Sequence, residues 1–290
     1  MALERVIGQQ ETAVGEPTVT NIADHAFDAA VALQPQADGT FQGNTSPAYA
    51  NMVGPFGGIT AAQAINAVLQ HSDRLGEPVS LTVNFCAALA DGPFTVQARP
   101  ARTNRSTQHW VIDMAQQGQT VLTATAFTAL RRETWSAGEH TMPVVPSPAQ
   151  TPLPAGRGRV EWISRYEMRF IEGGFPAAWD GADHGLSQSR LWVRDNPPRA
   201  LDFASLTALS DVFFPRIWRR RATLVPLGTV SMTIYFHADA ARLNTTGTGY
   251  LLGQARAQAF HNGYFDQTAQ LWNEAGELLV TTHQVVYYKE

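Results

Sequence analysis

The chain has 290 residues, of which 44% are hydrophobic and 16% are charged, so it can bury a substantial core in two domains or one large one. Its net charge of −4 gives no case for a nucleic-acid partner, which would normally meet a basic face. Cys86 is the only cysteine, which excludes an internal disulfide and any cysteine-based zinc or iron–sulfur site.

The first half of the chain begins with a polar, aperiodic segment at 1–24, which predicts an arm without the basic-then-apolar pattern of a signal peptide. No apolar run in the chain approaches the roughly 20 residues of a membrane helix, so we expect a cytoplasmic protein with no membrane partner. Residues 26–33 predict a first strand, and 39–54 read as a loop. Gly57-Gly58 then open a helix that runs to about Ser72 and is apolar enough to be surrounded by protein.

Four strand-like runs follow this helix, and each mixes β-branched or aromatic residues with polar ones. Asp91-Gly92 and Gln117-Gly118 mark turns between them. The runs are 79–87, 93–103, 106–117 and 120–130.

A proline-rich stretch divides the chain. Five prolines lie between Pro143 and Pro154, and proline at that density blocks strand pairing and stiffens the backbone. We therefore place a linker at 133–160, between an N-terminal domain at 25–132 and a C-terminal domain at 161–290.

The second half repeats the order of the first. Two strands precede a helix predicted over 202–218, which ends at Pro215 or soon after, and four strands follow the helix. The six predicted strands are 163–171, 188–194, 228–237, 249–259, 262–273 and 277–287.

An internal repeat links the two halves. The segment Val79–Phe85 returns, lightly altered, as Val230–Phe236, 151 residues later, and the turn at Gly118 returns at Gly276, 158 residues later. Two copies of this length indicate a duplicated domain. Because loops cannot cover an apolar helix, each sheet is expected to wrap around its helix. The fold class that we predict is α+β, with two antiparallel sheets, each around one long apolar helix, joined into one continuous sheet.

This arrangement resembles the hot-dog fold, and two such modules in one chain resemble the double-hot-dog acyl-CoA thioesterases of the bacterial thioesterase II type. The segments that carry the resemblance are Phe56-Gly57-Gly58, Val79–Phe85, Leu209–Pro215, Tyr235-Phe236-His237 and Leu279–Gln284. The resemblance implies an acyl-CoA substrate, hydrolysis to free acid and coenzyme A, no cofactor, and assembly as a homo-oligomer.

The family's catalytic positions fall on Asp211, Thr229 and Gln284. A carboxylate, a hydroxyl and an amide can together hold one water, and the carboxylate can act as its general base. The backbone N–H groups at the start of a helix can stabilise an oxyanion, and glycine there allows close approach, so Gly57 and Gly58 are candidates for that role.

The repeat provides an internal comparison for this site. Shifting Thr229 back by the first offset gives Pro78, and shifting Gln284 back by the second gives Ala126. Neither side chain can orient a water, so only the second half is expected to keep the chemistry.

Four arginines follow the candidate aspartate closely in the sequence: Arg216, Arg219, Arg220 and Arg221. These side chains are either a solvated helix end, favoured by the helix dipole, or a dock for the phosphates of coenzyme A. The histidines show no metal-ligand spacing with carboxylates, so no metal is expected.

Two other functions stay open at this point. A non-catalytic acyl-CoA-binding protein would retain the ligand without releasing thiol. An enoyl-CoA hydratase or dehydratase would use an Asp–His pair, and no histidine is placed on a helix near a helical aspartate. The sequence does not fix the length or type of the acyl group.

Overall fold

A computed structural model describes residues 25–154 and 160–290, so the predicted arm at 1–24 lies outside the described residues. The helices are α1 Ala26–Val31, α2 Gly57–Leu69, α3 Phe203–Leu209, α4 Arg216–Arg221 and α5 Ala240–Thr246. The strands are β1 Gln34–Pro35, β2 Phe41–Asn44, β3 Glu77–Phe85, β4 Pro93–Thr103, β5 Thr107–Gln116, β6 Gln119–Ala129, β7 Tyr166–Glu172, β8 Ser189–Asp195, β9 Leu227–Phe236, β10 Leu251–Arg256, β11 Phe260–His261, β12 Tyr264–Asn273 and β13 Leu278–Tyr288.

These strands form one continuous antiparallel sheet, as the predicted joining of the two halves requires. From one edge to the other the order is β1-β2-β4-β5-β6-β3-β9-β13-β12-β10-β8-β7, with β11 paired to β12 beside this path. Equivalent strands of the two halves follow each other in the same order from the centre of the sheet outward. The order is β3-β6-β5-β4-β2 in the first half and β9-β13-β12-β10-β8 in the second. The sheet therefore has an approximate two-fold symmetry that matches the sequence repeat.

The two halves join where β3 pairs with β9. Thr82 lies opposite Thr233, its own counterpart in the repeat, and their hydroxyl oxygens are 3.1 Å apart. On either side, Ser80 pairs with Tyr235 and Asn84 pairs with Ser231. Equivalent residues thus meet on the symmetry axis, and neither half has a free sheet edge at the junction.

The long helix of the first half is almost wholly buried. Ile59, Ile65 and Val68 of α2 have almost no exposed surface, as expected for a helix enclosed by a sheet and a neighbouring helix. That neighbour is α3, and the two backbones approach closely at Gly58. A Cβ atom at Gly58 would lie 2.6 Å from the carbonyl oxygen of Ala208.

The helix of the second half is shorter than predicted. Instead of one helix over 202–218, α3 ends at Leu209 and α4 begins at Arg216. The Leu206 carbonyl accepts both the Ser210 N–H (3.0 Å) and the Ser210 hydroxyl (2.7 Å), an arrangement that slightly destabilises and bends a helix. Pro215 disfavours helical backbone at the residue before it and becomes the N-cap of α4. The expectation of one long helix in each half therefore holds only for α2.

The segment predicted as a first strand is the helix α1. The His25 side chain accepts a hydrogen bond from the Phe27 N–H (3.1 Å) and so caps the helix. Phe27, Ala30 and Val31 are buried, at the i, i+3, i+4 spacing of a helix face. The alanine-rich sequence supports this state over a strand.

None of the helices in the described parts of the chain is long and apolar enough to cross a bilayer.

Candidate functional site

The start of α2 is held firmly by aromatic packing. Phe56, the N-cap residue, stacks on Trp162 with ring centroids 4.2 Å apart, and its N–H donates to the Tyr49 carbonyl (2.8 Å). The next two residues, Gly57 and Gly58, form the first turn of α2, whose N–H groups have no acceptor within the helix. These groups form a fixed, electropositive end that faces the second half of the chain.

Asp211 lies against this end of α2. It follows the last turn of α3 and is not part of a helix, which differs from the predicted place on the second helix. Gln284 Nε2 donates to Asp211 Oδ1 (2.7 Å), and the Gly58 N–H also donates to this carboxylate. The structure therefore brings together Asp211, Gln284 and Gly58, which come from both halves of the chain.

The surroundings of Asp211 change its acidity. Burial raises the pKa of this carboxyl from 3.8 to about 7, while the hydrogen bonds from Gln284 and from the Gly58 N–H act in the opposite direction. The residue is nevertheless partly accessible. A carboxyl of this kind is close to half ionised at neutral pH, which suits a group that must accept a proton during turnover.

Gln284 lies on the inner face of β13 and is 3% exposed. Besides Asp211, its Nε2 contacts the sulfur of Met232 at 3.3 Å, on the neighbouring strand. Both contacts fix the amide, so Gln284 can hold the carboxylate in one orientation.

Thr229 reaches the inner face because of a β-bulge. Val286 pairs with Thr229 while Val285 pairs with Ser231, so Val230 is the extra residue. Since Val286 is buried, its partner Thr229 points to the same face. Within the residues that the structure describes, the Thr229 hydroxyl makes no hydrogen bond to Asp211 or Gln284.

The first half contains the same bulge. Thr128 pairs with Pro78 and Phe127 pairs with Ser80, which leaves out Val79. Ala126 pairs with Leu81 as Gln284 pairs with Met232 in the second half. Pro78 and Ala126 are therefore the structural counterparts of Thr229 and Gln284, as the repeat predicted.

The two glycines of α2 have different environments. The Gly58 N–H is already bonded to Asp211, so it is not free for a substrate in this state. The Gly57 N–H is the first of the helix, and a Cβ atom there would lie 2.9 Å from Asp211 Oδ2. The site thus needs glycine at both positions: at Gly57 beside the carboxylate, and at Gly58 between α2 and α3.

The four arginines differ in position. Arg216 is fully buried and donates to the carbonyls of Phe214 (2.9 Å) and Ser187 (2.7 Å) and to the Ser189 hydroxyl (2.9 Å). Burial lowers its pKa to about 9. Arg216 therefore lies at neither a solvated helix end nor an accessible phosphate site, because the start of α4 turns this side chain into the core.

The other three arginines lie further along α4. Arg220 forms an ion pair with Asp183, and Arg221 lies 3.4 Å from a carboxylate oxygen of Glu290. The Nε–H of Arg219 is buried and has no acceptor among the described residues.

Sequence reasoning did not single out Gln267, which lies opposite Gln284 on β12 and is 2% exposed. The available signal was its position, because the residues two before and two after it are apolar and face the core. Among residues 25–154 and 160–290, no three His, Cys, Asp or Glu side chains are grouped as metal ligands.

Comparisons with known proteins agree with this architecture. A sequence profile for the acyl-CoA thioesterase N-terminal domain matches residues 46–129, and one for the acyl-CoA thioesterase C-terminal domain matches residues 141–288. A search of curated proteins gives no match.

Several solved structures are similar over nearly the whole chain. A conserved protein of unknown function with a hot-dog fold from Alicyclobacillus acidocaldarius is 46% identical, with 92% of this chain and 98% of that chain covered and a TM-score of 0.86. A tesB protein from Mycobacterium avium subs paratuberculosis is 19% identical, with 92% and 100% covered and a TM-score of 0.73. An acyl-CoA thioesterase II from Mycobacterium marinum is 16% identical, with 91% and 98% covered and a TM-score of 0.70. The two lower identities establish the fold alone.

Proposed function

This chain belongs to the acyl-CoA thioesterase family, and we propose that it hydrolyses an acyl-CoA to a free acid and coenzyme A with Asp211 as the general base. One observation supports the proposal above the others. Asp211, with a pKa of about 7, is joined by hydrogen bonds to Gln284 and to the first turn of α2. A partly accessible carboxylate in this state can accept a proton at neutral pH.

The reaction needs no covalent enzyme intermediate. A water held by Asp211 attacks the thioester carbonyl carbon, and Asp211 takes one of its protons as the carbon–oxygen bond forms. The negative charge that develops on the carbonyl oxygen is stabilised by the positive end of α2, where the Gly57 N–H is the free donor. The tetrahedral intermediate then collapses, the carbon–sulfur bond breaks, and the leaving thiolate takes up the proton.

Gln284 and Thr229 have supporting roles in this proposal. Gln284 fixes the Asp211 carboxylate through its 2.7 Å hydrogen bond. The inward-facing hydroxyl of Thr229 is free to hydrogen-bond the water or the substrate. Pro78 and Ala126 in the first half cannot take these roles, so we propose one active site per chain.

The coenzyme A phosphates would be bound at α4. Arg219 has an N–H without an acceptor, while Arg220 and Arg221 are engaged with carboxylates that an anion could displace. We therefore assign the main phosphate contact to Arg219. Arg220 and Arg221 would contact a phosphate by giving up their present carboxylate partners, Asp183 and Glu290.

The test is release of free thiol from a panel of acyl-CoAs, from short to long and branched to aromatic. We expect Asp211→Asn to lower kcat by about 10²–10⁴-fold, the range for loss of a general base. Asp113→Asn, on the outer face of β5, is the matched control and should keep normal turnover. Near-normal turnover in Asp211→Asn contradicts the assignment of the base. Acyl-CoA binding without thiol release favours a non-catalytic acyl-CoA-binding protein, and hydration of an enoyl-CoA favours a hydratase.

A further inference from the structure

Gln267 has a buried side chain on the inner face of the sheet. It lies on β12 directly opposite Gln284, and its neighbours on the same face, Phe265 and Ala269, are also buried. In the described parts of the chain, the Gln267 side chain makes no hydrogen bond. An amide in a 2% exposed side chain keeps only the small accessible surface that a single water or ligand atom can reach, so it loses most of its bonds to bulk water. Such a group in a native fold indicates an ordered water or a ligand next to it.

The first half shows that the sheet does not require a polar side chain here. Trp110 pairs with Ala126 as Gln267 pairs with Gln284, so Trp110 is its counterpart. The Trp110 indole is 1% exposed, and its N–H donates to the Thr128 hydroxyl (3.1 Å). In the first half, the paired residues at this position are therefore Ala126 and Trp110, whose indole N–H has a hydrogen-bond partner. In the second half, where Asp211 lies, the paired residues are Gln267 and Gln284.

The geometry brings Gln267 within reach of the same water as Asp211. Side chains directly opposite each other on neighbouring antiparallel strands have Cβ atoms about 5 Å apart. Gln284 extends to Asp211 Oδ1, and Gln267 is paired directly opposite Gln284 on the same face of the sheet. One water can span the remaining distance between an amide oxygen and a carboxylate.

We propose that Gln267 is a water-positioning residue, which accepts the second hydrogen of the water whose first hydrogen is taken by Asp211. A water that donates one hydrogen to each of two fixed acceptors presents a lone pair in a fixed direction. That direction is what attack on a carbonyl carbon requires. This inference rests on the proposed thioesterase function, and it adds a residue to that site.

Steady-state kinetics with one good acyl-CoA substrate test the role. Gln267→Leu removes both hydrogen-bonding groups at similar volume, and Gln267→Met is a second variant that keeps the length of an unbranched chain if leucine does not fold. We expect kcat to fall about 10–100-fold, the effect of losing one fixed hydrogen bond in the transition state, with KM changed less than twofold. Gln270→Leu is the matched control, because Gln270 faces outward on the same strand and its amide makes only a 3.5 Å contact with Gln254.

A crystal structure of the wild-type protein supplies a readout that does not depend on activity. We expect a water within hydrogen-bond distance of both the Gln267 amide and the Asp211 carboxylate, and its loss in Gln267→Leu or Gln267→Met. The inference is overturned if no such water is present, if kcat stays within twofold of wild type in a folded variant, or if KM rises instead. If the wild type releases no thiol from any acyl-CoA, the thioesterase proposal fails, and the crystallographic water alone decides the position of Gln267.

Discussion

The Asp211→Asn variant is expected to lose activity and yet to gain stability at high pH. In the folded protein the pKa of Asp211 is about 7, against 3.8 for the free side chain. Between these two pH values the native state keeps a proton that the unfolded chain has released. Folding stability contributed by this group is therefore present in full below pH 4 and is lost as the pH rises through about 7.

The magnitude follows from the two pKa values. They differ by about 3 pH units, and each unit corresponds to about 1.4 kcal/mol, which gives an upper limit of about 4 kcal/mol above pH 7. Asp211 is partly accessible, and the water that reaches it reduces the cost, so we expect about 1–3 kcal/mol. Asparagine keeps the shape, can accept from the Gly58 N–H, and can donate to Gln284 after that amide rotates.

Thermal unfolding at pH 4 and pH 8 measures this effect. For a chain of this length the expected gain at pH 8 is about 2–5 °C in Tm for Asp211→Asn over wild type, with little difference at pH 4. The buried Asp195, whose pKa burial raises to about 6, is present in both proteins and cancels in the comparison. A variant that is less stable than wild type at pH 8, or a difference that does not change with pH, refutes the reasoning.

Three other outcomes follow from the site. The value of kcat/KM should rise with pH through an apparent pKa near 7 and level off above it, because Asp211 must be ionised to act as a base. Initial rates from pH 5 to 9 measure this profile, and a kcat/KM that does not change with pH contradicts the expectation. Gly58→Ala should destabilise the protein by about 1–3 kcal/mol in urea unfolding, because the new methyl would lie 2.6 Å from the Ala208 carbonyl. Arg219→Ala should raise KM for acyl-CoA about 5–50-fold at unchanged kcat, since it removes a phosphate contact, whereas Arg242→Ala, an exposed arginine paired with Glu277, should not.

The strands were predictable because sheet burial follows a period of two. In β5, predicted over 106–117 and found at Thr107–Gln116, Trp110, Ile112 and Met114 are buried while the residues between them are more exposed. The repeat added a second estimate of each boundary. The strands are therefore encoded locally, by the alternation of buried and exposed residues and by the glycines at the turns.

The helices were less predictable because their ends depend on tertiary contacts. Residues 202–218 carry a nearly continuous apolar pattern, and nothing local in it indicates that Phe213 will pack over Gly253, where an added Cβ would lie 2.8 Å from the ring. That packing accompanies the break after α3, which places Asp211 beside α2. In α1, the cap by His25 replaces the more usual Ser, Thr, Asn or Asp, so the helix start had no strong signal.

The pairing of Asp211 with Gln284 could not be derived from spacing, since 73 residues separate the two along the chain. The resemblance to a family supplied both positions, and the fold explains the contact because Asp211 follows α3, which packs against α2, and Gln284 is buried on β13. Gln267 was missed because its one signal in the sequence, a glutamine between inward-facing apolar residues, does not show that Gln284 lies opposite it. The burial of Arg216 was not predicted, because a cluster of arginines in a sequence gives no indication of which one turns inward.

The β3–β9 junction also has a consequence for how the sequences of the two halves can evolve. In an assembly of two separate, identical chains, every substitution enters at both symmetry-related places, so a proline at the position of Pro78 would also replace Thr229. Carrying both halves in one chain, paired at this junction, removes that constraint. One copy can exchange reactive groups for bulk that strengthens the framework, as with Trp110, while the other keeps them. Under the proposed function, such a tandem chain has one reaction centre where a symmetric pair would have two.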